Sequence, residues 1–261
     1  MLTELRAAAR LARLARHLLG GLITVAWIHP WISPARRLRL KGRWSRRLLE
    51  ALGIELRISG ATAEGLLVAN HISFLDIFVI NAVAPAAFVA KDDVRGWPLI
   101  GWLAARTDTI FLERGSRAAA QHARARLVEE LRAGHHVAVF PEGTTTIGDR
   151  VLPFHGALFQ AAIDAGTPVT PLALRYRGRD GRRSEAPAYV DAITLWQCLR
   201  AIATSDGLVA RIEVLTPMPP LVADRRHLAA HAHRAIAHAV GADDGQNGPA
   251  HPRPIPRGRG G

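Results

Sequence analysis

One cysteine, Cys198, is all that the 261-residue chain carries, so no internal disulfide forms and nothing in its stability calls for an oxidising compartment. The sequence has no G-x-S-x-G run, which excludes the nucleophile elbow of the α/β hydrolases and places any nucleophile in the substrate. The charged-then-apolar start lacks an A-x-A-like cleavage site and has a second basic flank, which argues against a secretory signal peptide. No internal repeat is visible. Acidic residues are in short supply, 22 against 34 Lys and Arg, for a formal net charge of +12 and a sequence pI near 11.4. Such an excess is neutralised by nucleic acids or by anionic lipid surfaces. The basic residues flank an apolar segment instead of interleaving with aromatics on a strand platform, so no nucleic-acid partner is expected.

What is present begins with 49% hydrophobic residues, enough for a real core in one large domain with appendages. Arg6, Arg10, Arg13 and Arg16 recur at helical spacing. Leu18 to Ile32 is then apolar except for Thr24, His29 and Pro30, and Arg36, Arg37, Arg39, Lys41, Arg43, Arg46 and Arg47 follow. The apolar stretch is shorter than the roughly 20 residues that cross a bilayer, and Pro30 interrupts it. Basic charge on both flanks suits a segment dipped into one leaflet. The expectation is an amphipathic two-helix hairpin over residues 1–53, helices about Leu2 to Trp27 and Pro34 to Leu52, lying on the cytoplasmic face of the inner membrane without spanning it. The competing reading is a helix that merely packs on the domain.

From Ile54 the pattern changes to short apolar runs alternating with amphipathic ones. Strands are predicted at Ile54 to Ile58, Gly65 to Ala69, Ala87 to Ala90, Thr109 to Phe111, Val137 to Phe140, Val169 to Leu174 and Ala210 to Val214. Helices are predicted at Phe74 to Val83, Ile100 to Ala105, Arg117 to Ala133, His155 to Ala165, Ile193 to Thr204 and Leu221 to Val240. That alternation predicts an α/β domain over residues 54–240 with a largely parallel central sheet flanked by helices. The Gly- and Pro-rich residues 241–261 are expected to be a disordered tail.

Four short blocks could carry chemistry. In Asn70-His71-Ile72-Ser73-Phe74-Leu75-Asp76, a histidine just past an apolar strand sits where α/β sheets receive ligands. An aspartate five residues on can accept its Nδ1 proton, leaving Nε2 to deprotonate an alcohol; a helix N-terminal Asp is equally a plain dipole partner. Ile110-Phe111-Leu112-Glu113-Arg114 ends a strand with a guanidinium suited to phosphate or carboxylate, or with an ordinary surface arginine. Phe140-Pro141-Glu142-Gly143-Thr144-Thr145 opens a strand into a turn that suits an anionic or polyol head group, or is a common strand-end turn. Thr167-Pro168-Val169-Thr170-Pro171-Leu172 is a Pro-bracketed strand. His227, His231, His233 and His238 are helix-spaced in part, but no cysteine or carboxylate set accompanies them, so no metal is expected.

The order of these blocks resembles the four motifs of the glycerolipid acyltransferase family, which includes bacterial lysophosphatidic acid acyltransferases. The resemblance covers residues 54 to 216. It implies a transferase in lipid metabolism in which His71 is the general base and Asp76 holds its tautomer, with Asn70, Ser73, Arg114, Glu142, Gly143, Thr144, Thr145 and Pro171 at the acceptor site. Lys91 is a weaker binding candidate. It further implies an acyl-CoA or acyl carrier protein as co-substrate, no cofactor, and a lysolipid acceptor, 1-acyl-sn-glycerol-3-phosphate first. Two departures stand out: Thr145 occupies a position where the family usually has arginine, and His155 one where many relatives have lysine. The run from Gly143 to Phe154 resembles the lyso-ornithine lipid acyltransferase branch, whose acceptor is an amino-acid lipid. Arg150 is placed to restore the lost charge. A non-catalytic lipid-binding protein of the same fold, and a hydrolase in which water replaces the lipid, are the rival readings.

Overall fold

The computed structural model describes residues 1–92, 106–107, 109–112, 117–190, 192–220 and 224–247. The predicted helix over Ile100 to Ala105 and the candidate Arg114 lie outside the described residues. The chain opens with α1 (Leu2–Ile23), a π-turn (Thr24–Ile28), a 3-10 turn (His29–Trp31) and α2 (Pro34–Ala51). The first α-helix thus stops at Ile23 and not at Trp27. The Thr24 hydroxyl donates back to the Gly20 carbonyl at 2.8 Å, a bond that bends helices, and Pro30 cannot supply the N–H a continued helix needs. Pro34 then sits at the first position of α2, where its missing N–H is no loss.

The helices α1 and α2 cross closely. A side chain at Gly21 would collide with the Trp44 indole, and His17 stacks on that ring at 4.8 Å. The helix α2 is also part of the main core: Leu48, Leu49 and Leu52 are buried in the cluster that holds Leu75, Ile80 and Leu174. Truncating any of these leucines to alanine would cost about 2–5 kcal/mol. Lys41 ties α2 to the Ala86 carbonyl at 2.7 Å.

Seven strands follow: β1 (Glu55–Gly60), β2 (Leu66–Ala69), β3 (Ala86–Lys91), β4 (Ile110–Leu112), β5 (His136–Val139), β6 (Val169–Arg177) and β7 (Val209–Val214). They form one sheet in the order β1-β7-β6-β2-β5-β3-β4. Among the described residues every neighbouring pair is parallel except β6 with β7, so the predicted largely parallel sheet is what forms. The strand β2 and, after His136, the strand β5 are apolar and buried, as parallel strands between helical layers must be.

Helices α3 (Asp76–Val83), α4 (Arg117–Arg132), α5 (Gln160–Ala165, after a 3-10 turn Gly156–Phe159), α6 (Leu195–Thr204) and α7 (Arg225–Asn247) complete the chain. One face of the sheet packs with α2, α3 and α6; the other packs with α4, α5 and α7. The Arg10 guanidinium, buried, reaches the Ala203 and Ser205 carbonyls at 2.9 and 2.8 Å, satisfying the C-terminal end of α6. The expected tail is corrected in part: α7 runs on through residues 241–247, because extending an established helix adds a hydrogen bond for each residue fixed.

Candidate active site

The position of the site follows from topology. The strands β2 and β5 are parallel neighbours, yet the helix after β2, α3, lies on one face and the helix after β5, α5, on the other. Their outgoing segments therefore head for opposite faces from the carboxyl ends of the two strands, the crevice position where open α/β sheets ordinarily take ligands. His71, two residues past β2, and Phe140, one past β5, meet there with stacked rings 3.9 Å apart.

Asp76, fully buried, receives four hydrogen bonds. Its Oδ2 accepts from the Ile72 and Ser73 backbone N–H groups at 2.7 and 2.9 Å and lies 2.9 Å from His71 Nδ1. Its Oδ1 accepts from the Tyr176 hydroxyl at 2.7 Å. A carboxylate so supplied with donors is fixed in orientation, and the hydrogen shared with His71 sits on Nδ1. His71 keeps 21% of its side-chain surface exposed, and no hydrogen bond occupies Nε2 among the described residues. Such an arrangement can serve as a base with its orienter. Burial, and next the Asp76 charge, push the Tyr176 phenol well above its ordinary range, so it stays a donor.

Glu142 pins the backbone of the histidine. Its Oε1 accepts from His71 N–H at 2.7 Å and its Oε2 from Leu152 N–H at 2.8 Å. Burial raises its pKa, and the two N–H bonds partly oppose that. The Thr146 N–H donates to the His71 carbonyl at 2.9 Å, so the segment after β5 clamps the His71 peptide at both ends. Gly148 carries that segment over Ile72: its φ is +80°, and a Cβ there would come within 2.9 Å of the isoleucine Cδ1.

The candidates do not all face the crevice. Asn70 is enclosed, and its amide exchanges two hydrogen bonds with the Leu174 backbone at 3.0 and 2.8 Å. Ser73 is enclosed too, its Oγ accepting from Leu75 N–H at 3.2 Å. Neither side chain has exposed surface, and both are engaged within the protein. Glu142 is likewise occupied on both oxygens. Thr145 donates its hydroxyl to the Tyr189 carbonyl, while Gly143 and Thr144 are exposed beside the clamp. Pro171 faces elsewhere, lining a groove of about 500 Å³ with Arg175, Glu213, His231 and His238, none of the His71 cluster among them. Lys91 ends β3. Arg150 is exposed and paired with Asp149 at 3.1 Å. Burial pushes the Cys198 thiol up to about 11, an inert group, and among the described residues no cluster fit to hold a metal is found.

Two members of the cluster escaped the sequence reading. The sequence places Phe140 at the strand end that opens the third block, without its ring contact to His71. Tyr176 falls on the β6 face that carries Leu172 and Leu174. A tyrosine in line with buried aliphatics needs a partner for its hydroxyl, which was the available signal.

Comparison with known proteins agrees with this picture. The acyltransferase family model matches residues 54–175. A lyso-ornithine lipid O-acyltransferase from Pseudomonas aeruginosa is 39% identical, covering 92% of this chain and 95% of that protein. A 1-acyl-sn-glycerol-3-phosphate acyltransferase from Neisseria meningitidis serogroup B is 36% identical over 81% of this chain and 84% of its own. The crystal structure of the 1-acyl-sn-glycerophosphate acyltransferase from Thermotoga maritima shares the fold, with a TM-score of 0.64 at 20% identity over 91% of this chain and 97% of that one. The chain belongs to the acyltransferase family and is an O-acyltransferase.

Proposed function

We propose that the enzyme moves a fatty acyl group from an acyl thioester to the free hydroxyl of a lysolipid, with His71 as the general base and Asp76 as its orienter. The observation that carries the reading is a part-exposed imidazole whose Nδ1 is held by a buried carboxylate, with no hydrogen bond on Nε2 among the described residues. Nε2 takes the hydroxyl proton as the oxygen attacks the thioester carbonyl. The tetrahedral intermediate then collapses to the ester, the C–S bond breaks, and the thiolate leaves with the proton returned from Nε2. The chain's basic excess suits either acidic donor, acyl-CoA or acyl carrier protein. Its own residues supply the base and its scaffold, and the reading needs no cofactor.

The acceptor we favour is a lyso-ornithine lipid. Thr145 stands where a phosphate-binding cation is expected and has its hydroxyl committed to Tyr189; the residue near the clamp at 155 is a histidine; and the relative at 39% identity carries that activity in its name. A zwitterionic amino-acid head group asks for less positive charge than a phosphate monoester. The second reading, 1-acyl-sn-glycerol-3-phosphate, is favoured by the relative at 36% identity.

Access to either lipid is through the membrane. The run Leu2–Trp31 is long and apolar enough to cross a bilayer by length and composition alone. Trp27 and Trp31, at the turn between α1 and α2, are 75% and 86% exposed, and Leu19, Ile23 and Ile28 are exposed with them. Aromatics at such a tip with basic residues behind it suit the interface of an anionic leaflet, and we place the enzyme on the cytoplasmic face of the inner membrane. The deciding assay offers purified enzyme in liposomes labelled acyl-CoA or acyl carrier protein with each lysolipid, beside His71→Ala. Diacylated product that disappears in the variant is the expected result; transfer that survives it would overturn the assignment of the base.

A further inference from the structure

We propose that Tyr176 is a positioning residue for acyl transfer, setting both the orientation and the basicity of the His71–Asp76 pair through its hydrogen bond to Asp76 Oδ1. The inference rests on the reading of His71 as the base.

The geometry divides the Asp76 carboxylate between two tasks. The Oδ2 atom faces His71 and the Ile72 and Ser73 N–H groups; Oδ1 points away from the histidine, into the core, and Tyr176 meets it at 2.7 Å. Tyr176 is itself only 2% exposed, so no water competes for the hydroxyl. Its strand is fixed to the loop from the other side, because Asn70 ties the Leu174 peptide to the residue beside His71. The phenol is thus built in at a set distance from a carboxylate a hundred positions earlier in sequence. Because burial and the Asp76 charge keep the phenol protonated, it donates at every pH at which the enzyme works.

The chemical consequence has a sign. A donor on Oδ1 draws electron density from the carboxylate, so Asp76 stabilises the imidazolium that forms during transfer less strongly than it would without that bond. It also stops rotation of the carboxylate about its Cβ–Cγ bond, which keeps Nε2 aimed at the crevice.

The test is the pH dependence of kcat and kcat/KM for acyl transfer in liposomes, for the wild type and Tyr176→Phe. Removal of the hydroxyl should move the acidic limb of the profile upward by on the order of half a pH unit and lower kcat about tenfold, with the KM for the lysolipid unchanged. Because Tyr176→Phe leaves a buried carboxylate oxygen without a partner and can fail to fold, a second perturbation keeps the test decisive. The chain has two tyrosines, so in a Tyr189→Phe background 3-fluorotyrosine enters position 176 alone. Compared with the same background carrying ordinary tyrosine, the stronger donor should shift the limb the other way, to lower pH. Opposite shifts in the two proteins support the proposal. An unchanged limb in the fluorinated enzyme, or a Tyr176→Phe enzyme whose activity falls only with its folded fraction, overturns it while leaving His71 as the base. A wild type without His71-dependent transfer instead sinks the functional reading itself.

Discussion

Asp76→Asn separates the charge of the orienting carboxylate from its geometry. In a serine-protease triad the equivalent change costs about 10⁴ in kcat because the histidine adopts the wrong tautomer. The surroundings of Asp76 oppose that outcome. Two backbone N–H groups, of Ile72 and Ser73, point at Oδ2, while Oδ1 faces a hydroxyl that can accept as well as donate. An asparagine with its NH₂ at the Oδ2 position would set two donors against it, at about 1–3 kcal/mol for each buried N–H left unpaired. The amide must therefore place its oxygen toward His71 and its NH₂ toward Tyr176, and Nδ1 keeps its proton. What is lost is the negative charge facing the imidazolium as it forms, the difference between a charge-assisted and a neutral hydrogen bond, about 1–2.5 kcal/mol. That predicts a kcat lower by roughly 5- to 70-fold, with His71→Ala falling much further. Single-turnover acyl transfer with saturating lysolipid reads the chemical step directly. A loss near 10⁴, equal to that of His71→Ala, would refute the reasoning about the amide, and no loss would refute the role of the charge.

Three further outcomes are expected. Glu142→Gln supplies one acceptor where His71 and Leu152 each donate to a separate oxygen; one N–H then faces an NH₂, and thermal melts in detergent should show a loss of about 1–3 kcal/mol, whereas a wild-type melting point would contradict the clamp. Burial, assisted by neighbouring His135 and opposed by a hydrogen bond with the Gly65 backbone, lowers the pKa of His136 below 6.5. The unfolded chain then binds a proton that the folded one refuses, so stability present above that pH is lost as pH falls through the folded value; the decline in melting temperature on acidification should be shallower in His136→Gln. Replacing Trp27 and Trp31, both exposed, by serine should weaken binding to anionic vesicles by roughly tenfold each in sedimentation, and unchanged binding would remove the tip from the membrane contact.

The histidine–aspartate pair was legible in the sequence because its geometry is local. Five residues across a strand end and the first turn of a helix bring Nδ1 within reach of a carboxylate, and the alternating apolar runs around it fix the sheet. What was not legible is what the same residues do inside the fold. Asn70, Ser73 and Glu142 are polar residues in a motif, and nothing in a string distinguishes a polar group turned toward a ligand from one spent on its own backbone. Burial makes the distinction: Asn70 and Ser73 have no exposed surface, Glu142 has 4%, and an enclosed polar side chain must find its partners in the protein. Tyr176 was missed for the complementary reason, since its partner lies a hundred residues away.

The same distinction bears on acceptor choice. Thr145 is a lost cation when the sequence is read by itself, but its hydroxyl joins the segment after β5 to Tyr189, and the Tyr189 N–H in turn donates to the Ile72 carbonyl at 2.9 Å. A closed loop of bonds thus runs from Thr145 to the residue beside the base. An arginine at this position would have to break that tether, leaving a backbone carbonyl short of a donor, in order to reach a head group. The nearby Arg150 does not stand in for it cleanly, because its guanidinium is paired with Asp149. Substituting Thr145 therefore trades rigidity of the base against charge for the acceptor. For the proposed lyso-ornithine acceptor, whose head group carries an ammonium of its own, that trade gains nothing.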